Sequence, residues 1–213
     1  MDIGRAFTFT FQDSQWIKKV AIGGLLVLIP IIGWLFVSGY WLRLVRQVVE
    51  NEDVPLPEWN DFGGDLVRGL KFIVVAFVWS IPAAIVSLMA SFSGNGNDLS
   101  STNLGLQCLS TILSLGAAFV QPLFATRVAL TEDIGAGLQF GAIFNEIRPV
   151  ATSLLIVLLM SIVIALLAMV GVVLCIIGVI FTVFFAYVVQ AHLYGQVRRQ
   201  LQGDPTAAIR PLA

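Results

Sequence analysis

The chain has 213 residues, of which 58% are hydrophobic and only 12% are charged, and its formal net charge is −1. This composition lies outside the range of soluble globular proteins and predicts that lipid covers most of the surface. No basic patch is large enough to predict a nucleic-acid partner.

Residues 2–15 predict a short amphipathic helix in the plane of the membrane interface. Ile3, Phe7 and Phe11 recur at helical spacing, whereas Phe7, Phe9 and Phe11 also alternate as in a strand, so periodicity alone allows both. The helical interpretation is favoured because a similar pattern returns later in the chain. There the apolar side chains at helical spacing are Phe140, Ile143, Phe144 and Ile147.

The two segments also match in sequence. The Phe-Asn-Glu sequence at 144–146 aligns with the Phe-Gln-Asp sequence at 11–13, and Phe140 aligns with Phe7. This match indicates an internal repeat, in which each copy opens with an in-plane helix before the chain enters the bilayer.

Residues 20–42 are long enough for one membrane span but contain Pro30 in the middle. Either one kinked helix crosses the membrane, or the chain turns back between Pro30 and Gly33 and forms a short, partly re-entrant hairpin. A kinked span would place basic flanks on both sides of the membrane, against their tendency to remain cytoplasmic. The hairpin is favoured because it keeps four basic residues on one side: Lys18, Lys19, Arg43 and Arg46.

Residues 50–65 predict an acidic loop. They hold six of the thirteen acidic residues, and Pro55 and Pro57 forbid a continuous helix. Asp61 or Asp65 can cap the helix that follows.

A second hairpin is predicted from spans at Leu70–Phe92 and Leu104–Thr126, joined by a polar turn at 93–98. The second in-plane helix follows this hairpin, with Thr131 or Asp133 as its N-cap.

Residues 150–194 contain no Asp, Glu, Lys or Arg. Such a run is long enough for two membrane spans. The less hydrophobic sequence Ala168–Gly171 predicts a tight turn between the two spans.

The basic residues indicate the topology. All twelve lie near the chain ends or in the connections 43–71 and 127–148, which places both termini in the cytoplasm. The predicted fold is an all-α integral membrane bundle of three hairpins, the first short or re-entrant, with two interfacial amphipathic helices. This single membrane domain divides into 1–49 (amphipathic helix and first hairpin), 50–65 (acidic loop), 66–128 (second hairpin), 129–203 (amphipathic helix and third hairpin) and 204–213 (tail).

Four short stretches near the N-terminus carry a family resemblance: DIGRAFTFTFQD at 2–13, WIKK at 16–19, IPIIG at 29–33 and PLPEW at 55–59. They resemble a bacterial and archaeal membrane family known as domain of unknown function 4013. Beyond these stretches the likeness is mainly one of hydropathy. The resemblance implies a multi-pass prokaryotic protein of the cytoplasmic membrane and assigns no catalytic residues.

A polar stripe marks the fourth membrane segment, where Gln107, Ser110, Ser114 and Gln121 share one helix face. Such side chains commonly join helices through hydrogen bonds in lipid. The alternative is that the stripe lines a hydrophilic path or an oligomer axis.

Several aromatic residues are predicted to anchor the protein at the membrane interface. They are Phe7, Phe11, Trp16, Trp59, Phe140 and Phe144. The segment around Trp59 can instead be a docking segment for a partner.

Residues with reactive side chains are few. His192 is the single histidine and is predicted to be interfacial and hydrogen-bonded. Cys108 and Cys175 lie in apolar runs and are expected in the core. The acidic loop is expected to be solvated and to pair with neighbouring basic residues rather than to bind a divalent cation. No catalytic signature is recognisable, so we expect no enzyme activity, no metal and no cofactor.

Three functions are compatible with these features. The first is a non-enzymatic membrane protein that acts by self-association or as a subunit of a membrane assembly. The second is a passive channel or facilitator for a small neutral solute. The third is a lipid-binding or membrane-shaping protein. The expected partners are membrane lipids, further copies of the chain or another membrane protein.

Overall fold

The computed structural model describes residues 2–50, 56–92, 101–173 and 175–203. The predicted polar turn at 93–98, the tail at 204–213 and residues 51–55 of the acidic loop lie outside these ranges. The described residues form helices and no strand, which confirms the all-helical class. The elements are α1 (Ile3–Thr8), a 3₁₀ turn (Phe9–Gln12), α2 (Trp16–Val27), α3 (Ile32–Glu50), α4 (Phe62–Phe92), α5 (Ser101–Thr131), α6 (Ile134–Gly137), α7 (Phe140–Val173) and α8 (Cys175–Gly203).

Within the described ranges, three helices are long and apolar enough to cross a membrane. They cover Phe62–Phe92, Thr102–Thr131 and Phe140–Met169. At 1.5 Å per residue each exceeds the roughly 30 Å of a bilayer's hydrocarbon core. The prediction of membrane-spanning helices is confirmed for these three segments.

The helical path is interrupted between α2 and α3, so the alternative of a single kinked span across residues 20–42 is wrong. Ile31 adopts a positive φ of 65° and ends the helical path. Trp59 contacts the start of α2 at Lys19 and the middle of α3 at Tyr40, which shows that the two helices lie side by side in opposite directions. At the tip, a Cβ on Gly33 would lie 1.8 Å from the carbonyl oxygen of Leu26, so the turn needs glycine there.

Both helices of the second hairpin are longer than predicted. The side chain of Asp61 accepts a hydrogen bond from the backbone N–H of Gly64, so α4 begins eight residues before Leu70. Helix α5 continues through Thr131. The reason is that charged side chains at these ends reach one another across the helices, so helical structure persists beyond the apolar spans.

The predicted second amphipathic helix is present from Phe140. A break at Val150, just after Pro149, separates it from the rest of α7, and φ there is −122° and ψ is 16°. Its position in the plane of the membrane stays a prediction. Asp133 caps the four-residue helix α6, accepting from the N–H of Ala136.

The tight turn predicted at Ala168–Gly171 is wrong. These residues are helical, and α7 continues to Val173. A single glycine is tolerated inside a helix at a modest cost, so Gly171 alone does not end it.

The N-terminal segment lies along α8. The backbone N–H of Asp2 donates to the side-chain oxygen of Gln196, and Phe9 and Phe11 contact His192 and Phe185. Residues 185 and 196 are separated by about 16 Å along the helix. Whether the segment also lies in a membrane interface stays a prediction, as does the internal repeat.

The core lies where α3 and α8 meet. Val45 and Val48 of α3 are buried, as are Leu193 and Val197 of α8. Gly195 permits close approach, because a Cβ there would lie 2.5 Å from a methyl group of Val48. The far halves of α4 and α5, in contrast, are largely exposed. We call residues 76–92 and 102–118 the α4–α5 arm.

Candidate functional site

Charged side chains from several helices meet at one end of the bundle. The end of α3, the start of α4 and the end of α5 are joined by ion pairs of Arg43 with Asp65 and of Arg68 with Glu132. The ends of α5, α7 and α8 are joined in the same way through Glu146. We call this end the charged end.

A groove of about 280 Å³ opens on the charged end between α3, α4 and α5. Arg46 pairs with Glu50 at 2.9 Å and with Glu132 at 3.3 Å. Arg68 reaches the same Glu132 oxygen at 3.1 Å. The groove therefore presents both charges, and its lining residues are Arg43, Arg46, Gln47, Glu50, Arg68, Ala129 and Glu132.

Behind the groove, Asp65 is fully buried. It accepts a hydrogen bond from Arg43 at 2.7 Å and one from Arg68 at 3.3 Å, and Arg68 also reaches Asp61 at 2.8 Å. The bond from Arg68 holds the pKa of Asp61 below its usual value. These bonds fix the two arginines against the protein.

Two buried polar atoms of groove residues have no hydrogen-bond partner, the Nε of Arg43 and the Oε1 of Gln47. One is a donor and the other is an acceptor. Buried groups of this kind are usually satisfied by a ligand or by ordered water.

A second cluster links the ends of α5, α7 and α8. Glu146 accepts from Arg127 at 2.8 Å and from Arg198 at 3.0 Å, and Arg127 also donates to Gln139 at 2.7 Å. All three charged side chains are largely buried, so the cluster fixes the helix ends relative to one another.

A third cluster holds the first hairpin. The Nζ of Lys19 lies 2.7 Å from each of three oxygens, on Asp13, Glu58 and the backbone of Leu56. Burial alone would raise the pKa of Asp13, but hydrogen bonds from Lys19 and from the N–H of Gln15 outweigh it and hold that pKa below its usual value.

Trp59 is packed within the protein. Its ring stacks on Tyr40 with centroids 4.1 Å apart, and its Nε1 donates to the backbone oxygen of Lys19. Leu56 is buried as well. This part of the Pro-Leu-Pro-Glu-Trp segment therefore docks on the chain's own helices.

The residues of the polar stripe on α5 have different surroundings in the structure. Ser110 faces α4 and donates to the backbone oxygen of Ala83 at 3.1 Å. Gln107 and Ser114 are exposed on the outside of the arm, whereas Gln121 is half-buried. In a single chain, Gln107 and Ser114 therefore border no interior path.

The other predicted anchors differ in exposure. Phe11, Phe140 and Phe144 are exposed, as anchors require, and Trp16 is half-buried with its edge against Phe11. Phe7 is half-buried and lines an apolar crevice of about 250 Å³ between α7 and α8. Contact with lipid stays a prediction for these residues.

The hydrogen bond predicted for His192 is present, whereas Cys108 is not in the core as predicted. His192 is fully buried, with its Nδ1 3.0 Å from Gln196 and its ring 4.5 Å from that of Phe9, because the N-terminal segment covers it. Cys108 is exposed on the arm, since no other described helix packs over it.

Sequence reasoning missed Glu132 and Glu146. Each lies in a short polar stretch next to an apolar span, which is the available signal. Pairing across 64 and 52 residues, with Arg68 and Arg198, has no local signature.

Among known proteins, the chain matches one family. The model of the family described as Protein of unknown function (DUF4013) matches residues 22–179, well over half of the chain. The chain belongs to the DUF4013 family. No curated protein and no solved structure matches it.

The DUF4013 match confirms the family resemblance seen in the sequence. It begins within α2 at residue 22 and continues to residue 179, so it covers α3 to α7 and the first residues of α8.

Proposed function

We propose that this DUF4013 protein is a non-enzymatic membrane protein that acts by association with a second copy of itself, through the outer face of α5. One observation supports the proposal most directly. The side chains of Gln107 and Ser114 are exposed on the outer side of the α4–α5 arm.

The membrane makes this exposure costly. Helix α5 carries no charged residue between 102 and 126, so Ser114 lies well within the apolar part. Ser114 donates to the backbone oxygen of Ser110 in its own helix. The amide of Gln107 needs both a donor and an acceptor, which lipid tails do not supply.

A second copy supplies the complementary groups. An amide both donates and accepts, so two Gln107 side chains related by a twofold axis satisfy each other. Each interhelical hydrogen bond of this kind contributes about 0.6 to 2 kcal/mol in a membrane. The same arm offers Cys108 as a reporter, because it is exposed one residue from Gln107.

The membrane and orientation follow from the charge distribution. We place the protein in a prokaryotic cytoplasmic membrane with the charged end in the cytoplasm, since basic flanks favour that side.

Association is tested by native mass spectrometry of the protein extracted with its surrounding lipid. Wild type should contain a dimer, and the variant Gln107→Leu with Ser114→Leu should shift the monomer–dimer equilibrium toward monomer about tenfold or more. Ser80→Leu is the matched control, because Ser80 is exposed on α4 and bonds within its own helix. A wild type that is monomeric in native lipid, or a double variant that dimerises as well as wild type, contradicts the proposal.

A further inference from the structure

We propose that the groove between α3, α4 and α5 binds the headgroup of an amine-bearing phospholipid, with the phosphate on its arginines and the ammonium on its glutamates. The proposal concerns the charged end and is independent of association through α5. Its evidence is the mixed charge of the lining, the two unpartnered atoms and the position of the groove next to the apolar spans.

The charges of the lining match such a headgroup. Arg43, Arg46 and Arg68 can surround a phosphate, for which guanidinium groups are well suited. Glu50 and Glu132 border the same groove and can accept hydrogen bonds from an ammonium group. A ligand with only negative charge would be repelled by the two glutamates, and a ligand with only positive charge would be repelled by the three arginines.

The unpartnered atoms require the same two kinds of ligand group. The Nε of Arg43 needs an acceptor, which a phosphate oxygen supplies. The Oε1 of Gln47 needs a donor, which an ammonium N–H supplies. One zwitterionic headgroup carries both an acceptor and a donor of these kinds.

The groove also lies at the right depth. Arg68 is one turn before Phe72, and residues 72–92 of α4 contain no charged side chain. Glu132 directly follows the last residue of α5. A lipid whose tails lie beside α4 therefore has its headgroup level with the groove.

Size and access are compatible with this occupant. The volume of about 280 Å³ is just below that of pockets for drug-sized molecules and suits a group as small as phosphoethanolamine. Arg46 and Glu50 are 42% and 57% exposed, so a headgroup reaches them without unfolding a helix.

The experiment is native mass spectrometry of the full chain, equilibrated with equal amounts of phosphatidylethanolamine, phosphatidylcholine and phosphatidylglycerol that share the same acyl chains. Phosphatidylcholine keeps the positive charge without an N–H donor, and phosphatidylglycerol keeps the phosphate without the amine. Wild type should retain phosphatidylethanolamine about tenfold more than either.

Two variants assign the effect to the groove. Arg46→Gln should lower retention of all three lipids, because it removes a phosphate partner. Glu50→Gln should lower retention of phosphatidylethanolamine to that of phosphatidylglycerol and leave the latter unchanged or raised. Lys18→Gln is the matched control, since it removes one exposed positive charge outside the groove lining and should change neither ratio.

The outcomes separate the explanations. Equal or stronger retention of phosphatidylglycerol by wild type indicates general attraction of anions to arginine and overturns the proposal. A preference for phosphatidylethanolamine that survives both groove variants also overturns it. Thermal melting of each variant in detergent confirms that the lost lipid does not reflect lost folding. If the wild type is monomeric but still prefers phosphatidylethanolamine, the proposed association through α5 is wrong and the lipid site stands.

Discussion

At the scale of single residues, the most consequential side chain is a lysine held inside the charged end. Lys19 is 4% exposed and has Asp13 and Glu58 as its carboxylate partners. A buried charge without a partner costs several kcal/mol, so the pair with Asp13 stabilises the first hairpin chiefly by preventing that cost.

Replacement of Asp13 therefore has a pH-dependent effect. At neutral pH, Asp13→Asn should lower the free energy of unfolding by about 2 kcal/mol, because Glu58 remains as a partner. The pKa of Asp13 lies below its usual 3.8 in the folded chain, so its stabilising contribution is present above that value. It is lost as the pH falls through the folded pKa.

The measurement is the difference in melting temperature between wild type and Asp13→Asn in detergent, from pH 7 to pH 2. The difference should be largest at neutral pH and should shrink below about pH 4. The double variant Asp13→Asn with Lys19→Met is the control, since it removes the buried charge and should recover part of the loss. A difference that is constant across this range would show that the ion pair is not its cause.

Residue-level contacts mark the limit of sequence reasoning. The pairing of the acidic loop with Arg43, Arg46 and Arg68 was predictable from proximity along the chain, and the structure confirms it for Asp65, Glu50 and Asp61. The bond of Gln196 to the backbone of Asp2 spans 194 residues, and no local pattern could have predicted it.

At the scale of elements, close packing of α3 on α4 depends on two glycines. A Cβ on Gly39 would lie 1.8 Å from the backbone oxygen of Asp65, and one on Gly69 would lie 1.9 Å from that of Leu35. Small residues let helices in membranes approach this closely. The contact also sets the distance between Arg43 and Asp65, and hence the position of one wall of the groove.

We therefore expect Gly39→Ala to destabilise the bundle, because a backbone atom cannot rotate away as a flexible side chain can. The expected loss is about 2 kcal/mol or more in the free energy of unfolding. Gly116→Ala is the matched control, since a Cβ there meets nothing within 4 Å and alanine favours a helix. Melting curves that move equally for the two variants would contradict a special role of the α3–α4 contact.

Element boundaries show why sequence predicts spans better than turns. The apolar runs gave the long helices, because a helix across lipid must satisfy its own backbone groups. The turn at Ala168–Gly171 failed because hydropathy weakens there without any residue that stops a helix. The turn at Pro30–Gly33 was identified correctly, since proline and glycine act directly on the backbone.

At the scale of the whole molecule, the start of the chain lies beside the last described helix, α8. The N–H of Asp2 donates to Gln196 at 2.8 Å, and the amide of Gln196 donates back to the backbone oxygen of Asp2 at 2.8 Å. Among the described residues, three helices have the length and apolarity of a span, and three crossings alone would place Asp2 and Gln196 on opposite sides of the membrane. Since these two residues are in contact, we expect a further crossing by α8, which packs along α7.

This arrangement predicts which positions share a side of the membrane. In a chain with Cys108→Ala and Cys175→Ala, a cysteine at Gln15 or at Gln202 should be labelled by a membrane-impermeant thiol reagent from one side only, the cytoplasmic side. A cysteine at Ser91, near the far end of α4, should be labelled only from the opposite side. All three positions are exposed, so absence of labelling from one side means that the membrane blocks the reagent, and not that the cysteine is buried in the protein. Labelling of Gln15→Cys and Gln202→Cys from opposite sides would require an odd number of crossings, and the pairing of Asp2 with Gln196 would then be wrong.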